Sequence, residues 1–224
     1  ILEWENANSR REISQLAESG GAPTAAPGEG EFMGEAIGAV AGLHDPRGIP
    51  ALLDDIETGN MATEALAAFG DRAMPALLER LKASFPGTVV CMVDVPDLCV
   101  QLLHASALRA LTQMAAPTTF TTLSSSNRAR IRQLIIETIS QGSPMDQVTA
   151  LQGAGLLGDT GLEPLILHAA RSEANASVRM YAVITLGDLR DQRLQSALQQ
   201  IAAADPDANV RDAAHIALGK LGGH

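Results

Sequence analysis

Residues 178–188 read Val-Arg-Met-Tyr-Ala-Val-Ile-Thr-Leu-Gly-Asp, and residues 210–219 read Val-Arg-Asp-Ala-Ala-His-Ile-Ala-Leu-Gly. Both carry Val-Arg, then an Ala, then Leu-Gly, at the same intervals. Val178, Ala182 and Leu186 recur at steps of four, so they share one helix face and mark it for a core. The apolar-Gly-Asp ending also occurs as Phe69-Gly70-Asp71 and Leu157-Gly158-Asp159. Glycine at a helix end lets the chain take the left-handed conformation that closes the helix. Gly158 to Gly187 is 29 residues and Gly187 to Gly219 is 32, a period that needs two short helices per unit.

The other half of the unit runs from Asp to Pro to a Leu-rich stretch. It occurs as Asp45…Pro50-Ala-Leu-Leu, Asp71…Pro75-Ala-Leu-Leu and Asp159…Pro164-Leu-Ile-Leu, and without proline as Asp191…Ser196-Ala-Leu. Asp suits a helix cap or the approach to one, and proline is tolerated in the first turn, where no backbone donor is needed. Asp71 to Asp159 spans 88 residues, close to three periods. Within it, 98–114 and 128–139 have helical spacing, while 84–96 and the Thr/Ser-rich 117–127 are insertions. The pattern predicts an all-α chain: a right-handed α-solenoid over 32–224, with about eleven helices in five to six pairs. Residues 3–19 predict one helix burying Trp4, Ile13, Leu16 and Ala17. Residues 20–30, rich in Gly and Pro, predict a linker or strap.

Composition narrows the function. The 224 residues include 37 Ala and 28 Leu but only 3% aromatics, which suits close-packed helices. No apolar run approaches the roughly 18 residues that a membrane-spanning helix needs. The net charge of −10 lies wholly in residues 1–100, with 16 acidic and 6 basic side chains; residues 101–224 carry 10 of each. That balance disfavours nucleic acid, which requires a basic surface. Arg128, Arg130 and Arg132 alternate around a helix and read as a solvated start. Cys91 and Cys99 lack zinc-site or C-x-x-C spacing, leaving two buried thiols or a short local disulfide as readings. The absence of an initiator Met fits a trimmed or processed chain. With the possible disulfide, the expectation leans to an exported bacterial protein.

The Val-Arg-x-x-Ala-x-x-x-Leu-Gly stretches resemble HEAT repeats, closest to the short HEAT-like repeats first associated with phycobilisome lyases. The resemblance covers about 32–222 and is strongest over 145–222. It implies the solenoid fold, and it covers proteins with unrelated roles. One HEAT-like family, the deoxyhypusine hydroxylases, holds iron through His-Glu pairs on second helices. Here those positions read Met180-Tyr181 and Asp212-Ala213, and His44, His104, His168, His215 and His224 stand singly. No metal or other cofactor is therefore expected. A bilin pocket finds few aromatic rings to stack on. There is no G-x-S-x-G elbow, P-loop or dinucleotide fingerprint. Gly153-Ala-Gly155 reads as small residues for close helix packing, and Asn175-Ala-Ser177 as a chance glycosylation tripeptide.

HEAT repeats place an acid in the inter-helix turn and an Arg six residues on, forming a ladder along the stack. Glu173/Arg179 and Asp205/Arg211 match that spacing. The expected function is a non-enzymatic scaffold that binds a protein partner on the concave face. The alternative is an enzyme or accessory lyase with a small-molecule site between solenoid and N-terminal segment. By alignment, the concave arc of the second helices includes Thr63, Glu64, Leu151, Gln152, Met180, Tyr181, Asp212 and His215. Tyr181, the single tyrosine, reads either as a binding hot spot or as packing between repeats. The acidic half predicts a basic patch on a partner that engages it. The pattern carries no signal of oligomeric state.

Overall fold

Each repeated aspartate stands at the mouth of one 3-10 turn, which then runs into an α-helix. In the computed structural model, which describes Ile37 and residues 45–54, 60–82, 96–117 and 123–222, three of them cap that turn. The Asp45, Asp159 and Asp191 carboxylates accept the N–H of Arg47, Gly161 and Arg193, two residues on. The turns Pro46–Gly48, Thr160–Leu162 and Gln192–Leu194 lead into α1 (Ile49–Asp54), α7 (Glu163–Ser172) and α9 (Gln195–Ala204). Asp71 differs. It lies inside its own turn, Gly70–Arg72, ahead of α3 (Met74–Lys82), and its carboxylate reaches across the insertion to Ser124 and Asn127. Pro50, Pro75 and Pro164 each sit in the first turn of their helix, where the missing donor costs nothing.

The remaining helices are α2 (Asn60–Ala68), α4 (Pro96–Ala115), α5 (Ser125–Gln141), α6 (Pro144–Leu157), α8 (Ala176–Asp188) and α10 (Ala208–Gly222). Among the described residues every regular element is helical, and the ten helices form five successive pairs. Helices α4 and α5 occupy the stretches whose apolar spacing predicted them. Residues 3–19, the 20–30 strap and Cys91 lie outside the described residues, and with Cys91 so does the predicted disulfide.

The second helices form one continuous layer, with α2, α4, α6, α8 and α10 each packed on the next. The first helices touch one another sparsely, chiefly at α5–α7. A stack whose members approach more closely in one layer bends toward that layer, so the second helices line the inside of the curve. Small residues allow the approach. A Cβ on Gly153 of α6 would fall 2.3 Å from the Thr112 methyl of α4. On Gly187 of α8 it would fall 2.8 Å from Ala217 Cβ and 2.9 Å from Ala217 Cα in α10. The core runs between the two layers through Ile131, Ile135, Ile139, Ile166, Val178, Ala182, Leu186 and Leu198, all buried.

The helix-closing glycines divide. Gly70 and Gly158 are left-handed, as the ending predicts. Gly187 and Gly219 instead lie inside α8 and α10, and Arg190 takes the positive φ of 52° beyond α8. At Gly187 the missing side chain serves the contact with Ala217 rather than a left-handed bend.

Candidate functional site

Two rows of polar contacts join successive pairs. On the outer edge, Arg132 of α5 donates to Asp159 at 2.5 Å, and Arg193 reaches Glu163 of the preceding pair at 3.2 Å. Burial would raise the Asp159 carboxyl, but the Arg132 hydrogen bond, the Gly161 N–H and the Arg132 charge together hold it below its ordinary value. At the turns inside each pair runs the second row. Arg179 donates through Nη1 to the carbonyls of Glu173 and Ala174 at 3.0 and 3.2 Å, and through Nε and Nη2 to both Asp205 oxygens at 2.9 Å. Both side chains are about nine-tenths buried. The Arg179 hydrogen bond holds the Asp205 carboxyl below its ordinary value against the opposing effect of burial; the Asp207 N–H and the charges of Arg179 and Arg211 assist. One pair earlier, Gln147 donates to the Glu173 carboxylate at 3.3 Å. The expected ladder is therefore wired differently. Each acid accepts from the preceding pair, and the Arg six residues on binds backbone carbonyls of its own turn.

Between α8 and α10, on the inner layer, lies a groove of about 210 Å³. Met180, Ile184, Ala213, Ile216 and Ala217 make its apolar floor and walls, with Asn209 and Asp212 toward one end. At the other end Lys220 pairs with Asp188 at 2.6 Å. Ile216 is 63% exposed, and on α6 Leu156 is 50% exposed. Large apolar side chains this exposed mark a surface that gains by being covered. Among the described residues no three metal-ligating side chains stand together, and no helix is long and apolar enough to cross a membrane.

The family model described as HEAT repeats matches residues 131–219, and the one described as PBS lyase HEAT-like repeat matches residues 61–83. The chain carries HEAT repeats. No curated protein matches it significantly. The two matched regions coincide with α5–α10 and with α2–α3, the parts where the sequence pattern is clearest.

Within this HEAT stack the predicted concave residues separate. Met180 and Asp212 line the groove. Glu64, Gln152 and His215 are exposed on the second helices, and Tyr181 is half-buried against the core beside the groove. Thr63 and Leu151 are corrections, since both are buried and present no surface to a partner. Leu151 sits at the α6–α8 contact, where its carbonyl accepts the Thr185 hydroxyl at 3.1 Å. Thr63 lies on α2, whose Ala62, Ala65, Leu66 and Ala67 are buried as well, which leaves little free arc. Helical periodicity alone does not tell the arc facing the next repeat from the arc facing solvent. The sequence reading missed Ile184, Ile216 and Lys220. Their signal was present: positions 180, 184 and 188 recur 32 residues later as 212, 216 and 220. Asn175, the glycosylation candidate, caps α8, its Oδ1 accepting the N–H of Ser177 and Val178.

Proposed function

We propose that the protein is an interaction scaffold whose inner helix layer binds an amphipathic helix of a partner protein. The groove between α8 and α10 carries this reading. It offers Met180, Ile184 and Ile216 in a channel open to solvent, with charged groups only at its ends. An apolar ridge at i, i+4 spacing fits such a channel, and a basic residue on the partner would meet Asp212. HEAT repeats serve generally as protein-interaction scaffolds, and an extended curved layer suits that use. Where the partner also engages the N-terminal half, the acidic excess of residues 1–100 calls for a basic patch, and salt would slow association.

A photo-crosslinking residue placed at Ile216, and separately at Gln199 on the outer layer, tests this in the native host. Crosslinks from 216 to an apolar, helically spaced peptide of one protein, absent from 199, are the expected result. Equal capture from both positions, or crosslinks to peptides without that spacing, would sink the groove as the binding face.

A further inference from the structure

The last three helix pairs repeat at a step of 32 residues, so their contacts can be compared position by position. Gly155 faces Thr185 and Gly187 faces Ala217, each on the following inner helix, whereas Gly219 at the next step has open space around it. Leu151 and Val183 are fully buried; His215, the next in register, is exposed. On the first helices, half-buried Leu167 is followed in register by exposed Gln199. The outermost pair thus presents the receiving side of a repeat interface, with polar residues at two positions that are apolar further in.

One part of that interface is kept. Arg211 donates through Nη1 to the carbonyls of Asp205 and Pro206 at 2.7 and 3.1 Å, the same two-carbonyl anchor that Arg179 makes one pair earlier. On Arg179 the other edge of the guanidinium, Nε and Nη2, grips a carboxylate. On Arg211 those two donors have no hydrogen-bond partner among the described residues. The anchor fixes the plane of the fork, so little side-chain freedom remains to be lost when an acid arrives.

We propose that the outer face of α9 and α10 is a docking site for an Asp or Glu side chain of a separate protein, held bidentately by Arg211 as Arg179 holds Asp205. Charge complementarity names the ligand, since a planar fork of N–H donors matches a carboxylate. The polar face names the kind of partner. Gln199 and His215 keep the surface compatible with water, which suits a partner that binds and leaves better than a permanently stacked apolar repeat. Arg211 does not line the groove between α8 and α10, so the two sites stand or fall separately.

The probe is a blocked heptapeptide, Ala-Ala-Asp-Pro-Asp-Ala-Asn, copying residues 203–209, the turn that fills the equivalent site on Arg179. It is titrated to millimolar concentration into the full chain while the arginine Nε–Hε NMR signals are followed. The expected result is a saturating shift of the Arg211 signal, with Arg179 unmoved and the exposed Arg190 and Arg193 little affected. Replacing both peptide aspartates with asparagine should abolish the shift. In Arg211→Lys, which keeps the charge but loses the fork, binding read from the backbone amides of 205–209 should weaken at least about fivefold. Equal shifts at Arg190, Arg193 and Arg211, or an equal response to the asparagine peptide, would overturn the site. An Arg211 shift that grows with protein concentration before any peptide is added would mean that a second copy fills the site, which overturns the separate partner.

Discussion

The three C-terminal pairs and the two N-terminal pairs are built on one plan and held together by different means. From α5 to α10 the contacts recur in register. An inner glycine receives the next helix at Gly155 and Gly187, and an inner polar side chain reaches the next acid at Gln147 and Arg179. From α1 to α4 the spacing shortens to 26 residues between Asp45 and Asp71 and is then interrupted. Single side-chain-to-backbone bonds take over there. Arg80 donates to the Leu53 carbonyl at 2.7 Å, and the Asp71 carboxylate accepts the Ser124 N–H at 3.0 Å from 53 residues away. Each joint of a solenoid is a nearest-neighbour interface, so a constant period lets one solution be copied along the stack. An insertion breaks the copy, and the joint is then made by whichever polar group can span it.

The largest test of that contrast falls on the copied joint. Arg179→Ala leaves the Asp205 carboxylate buried without its partner and should cost about 3 kcal/mol, read from urea unfolding at pH 7. Asp205 has a folded pKa below its unfolded one. Its contribution is therefore present above the unfolded value of about 3.9 and is lost as pH falls through the folded value. Wild-type stability should drop steeply below about pH 4, and Arg179→Ala should drop less steeply over the same range. Parallel curves would mean that the pair carries no linkage.

A smaller effect, and one of opposite sign at two equivalent positions, is expected from the inner glycines. Gly187→Ala forces a Cβ against the Ala217 backbone and should destabilise by about 2 kcal/mol, despite the better helix propensity of alanine. Gly219→Ala, 32 residues on, meets nothing and should stabilise by about 0.5–1 kcal/mol through propensity alone. Equal effects in thermal melts would show that the inner layer is looser than its contacts imply.

The smallest effect should be the most local. Asp71→Ala removes the acceptor for the Ser124 N–H and hydroxyl and the Asn127 amide, at a joint that is not part of the ladder. The expected outcome is faster amide hydrogen exchange at Ser124–Arg128, with α7–α10 unchanged. Faster exchange spreading into α8 would mean that the two regions share one cooperative unit rather than two styles of joint.

Local chemistry accounts for much of what was legible. Proline in the first turn, aspartate ahead of it and leucines at steps of three and four place α1, α3 and α7 without any neighbour, because their reasons lie within one or two helical turns. The buried stripe Val178, Ala182 and Leu186 was likewise visible as periodicity. The candidate site was only half legible. Met180 and Asp212 line the groove, but Leu151, on the same aligned arc, faces the next helix. A period of 3.6 residues gives a direction around the axis without saying what stands there.

Residue order alone thus settled the helices, their pairing and the period of the stack, since each depends on propensity, capping and burial within about 30 residues. Tertiary packing decided the rest. Arg179 takes the acid of the following turn rather than Glu173, because its own turn already binds the other edge of the guanidinium. Gly187 stays helical because Ala217 needs its space, and the left-handed turn passes to Arg190. Ile216 stays exposed while Val183 is buried, because a helix face is covered only when the next helix arrives to cover it.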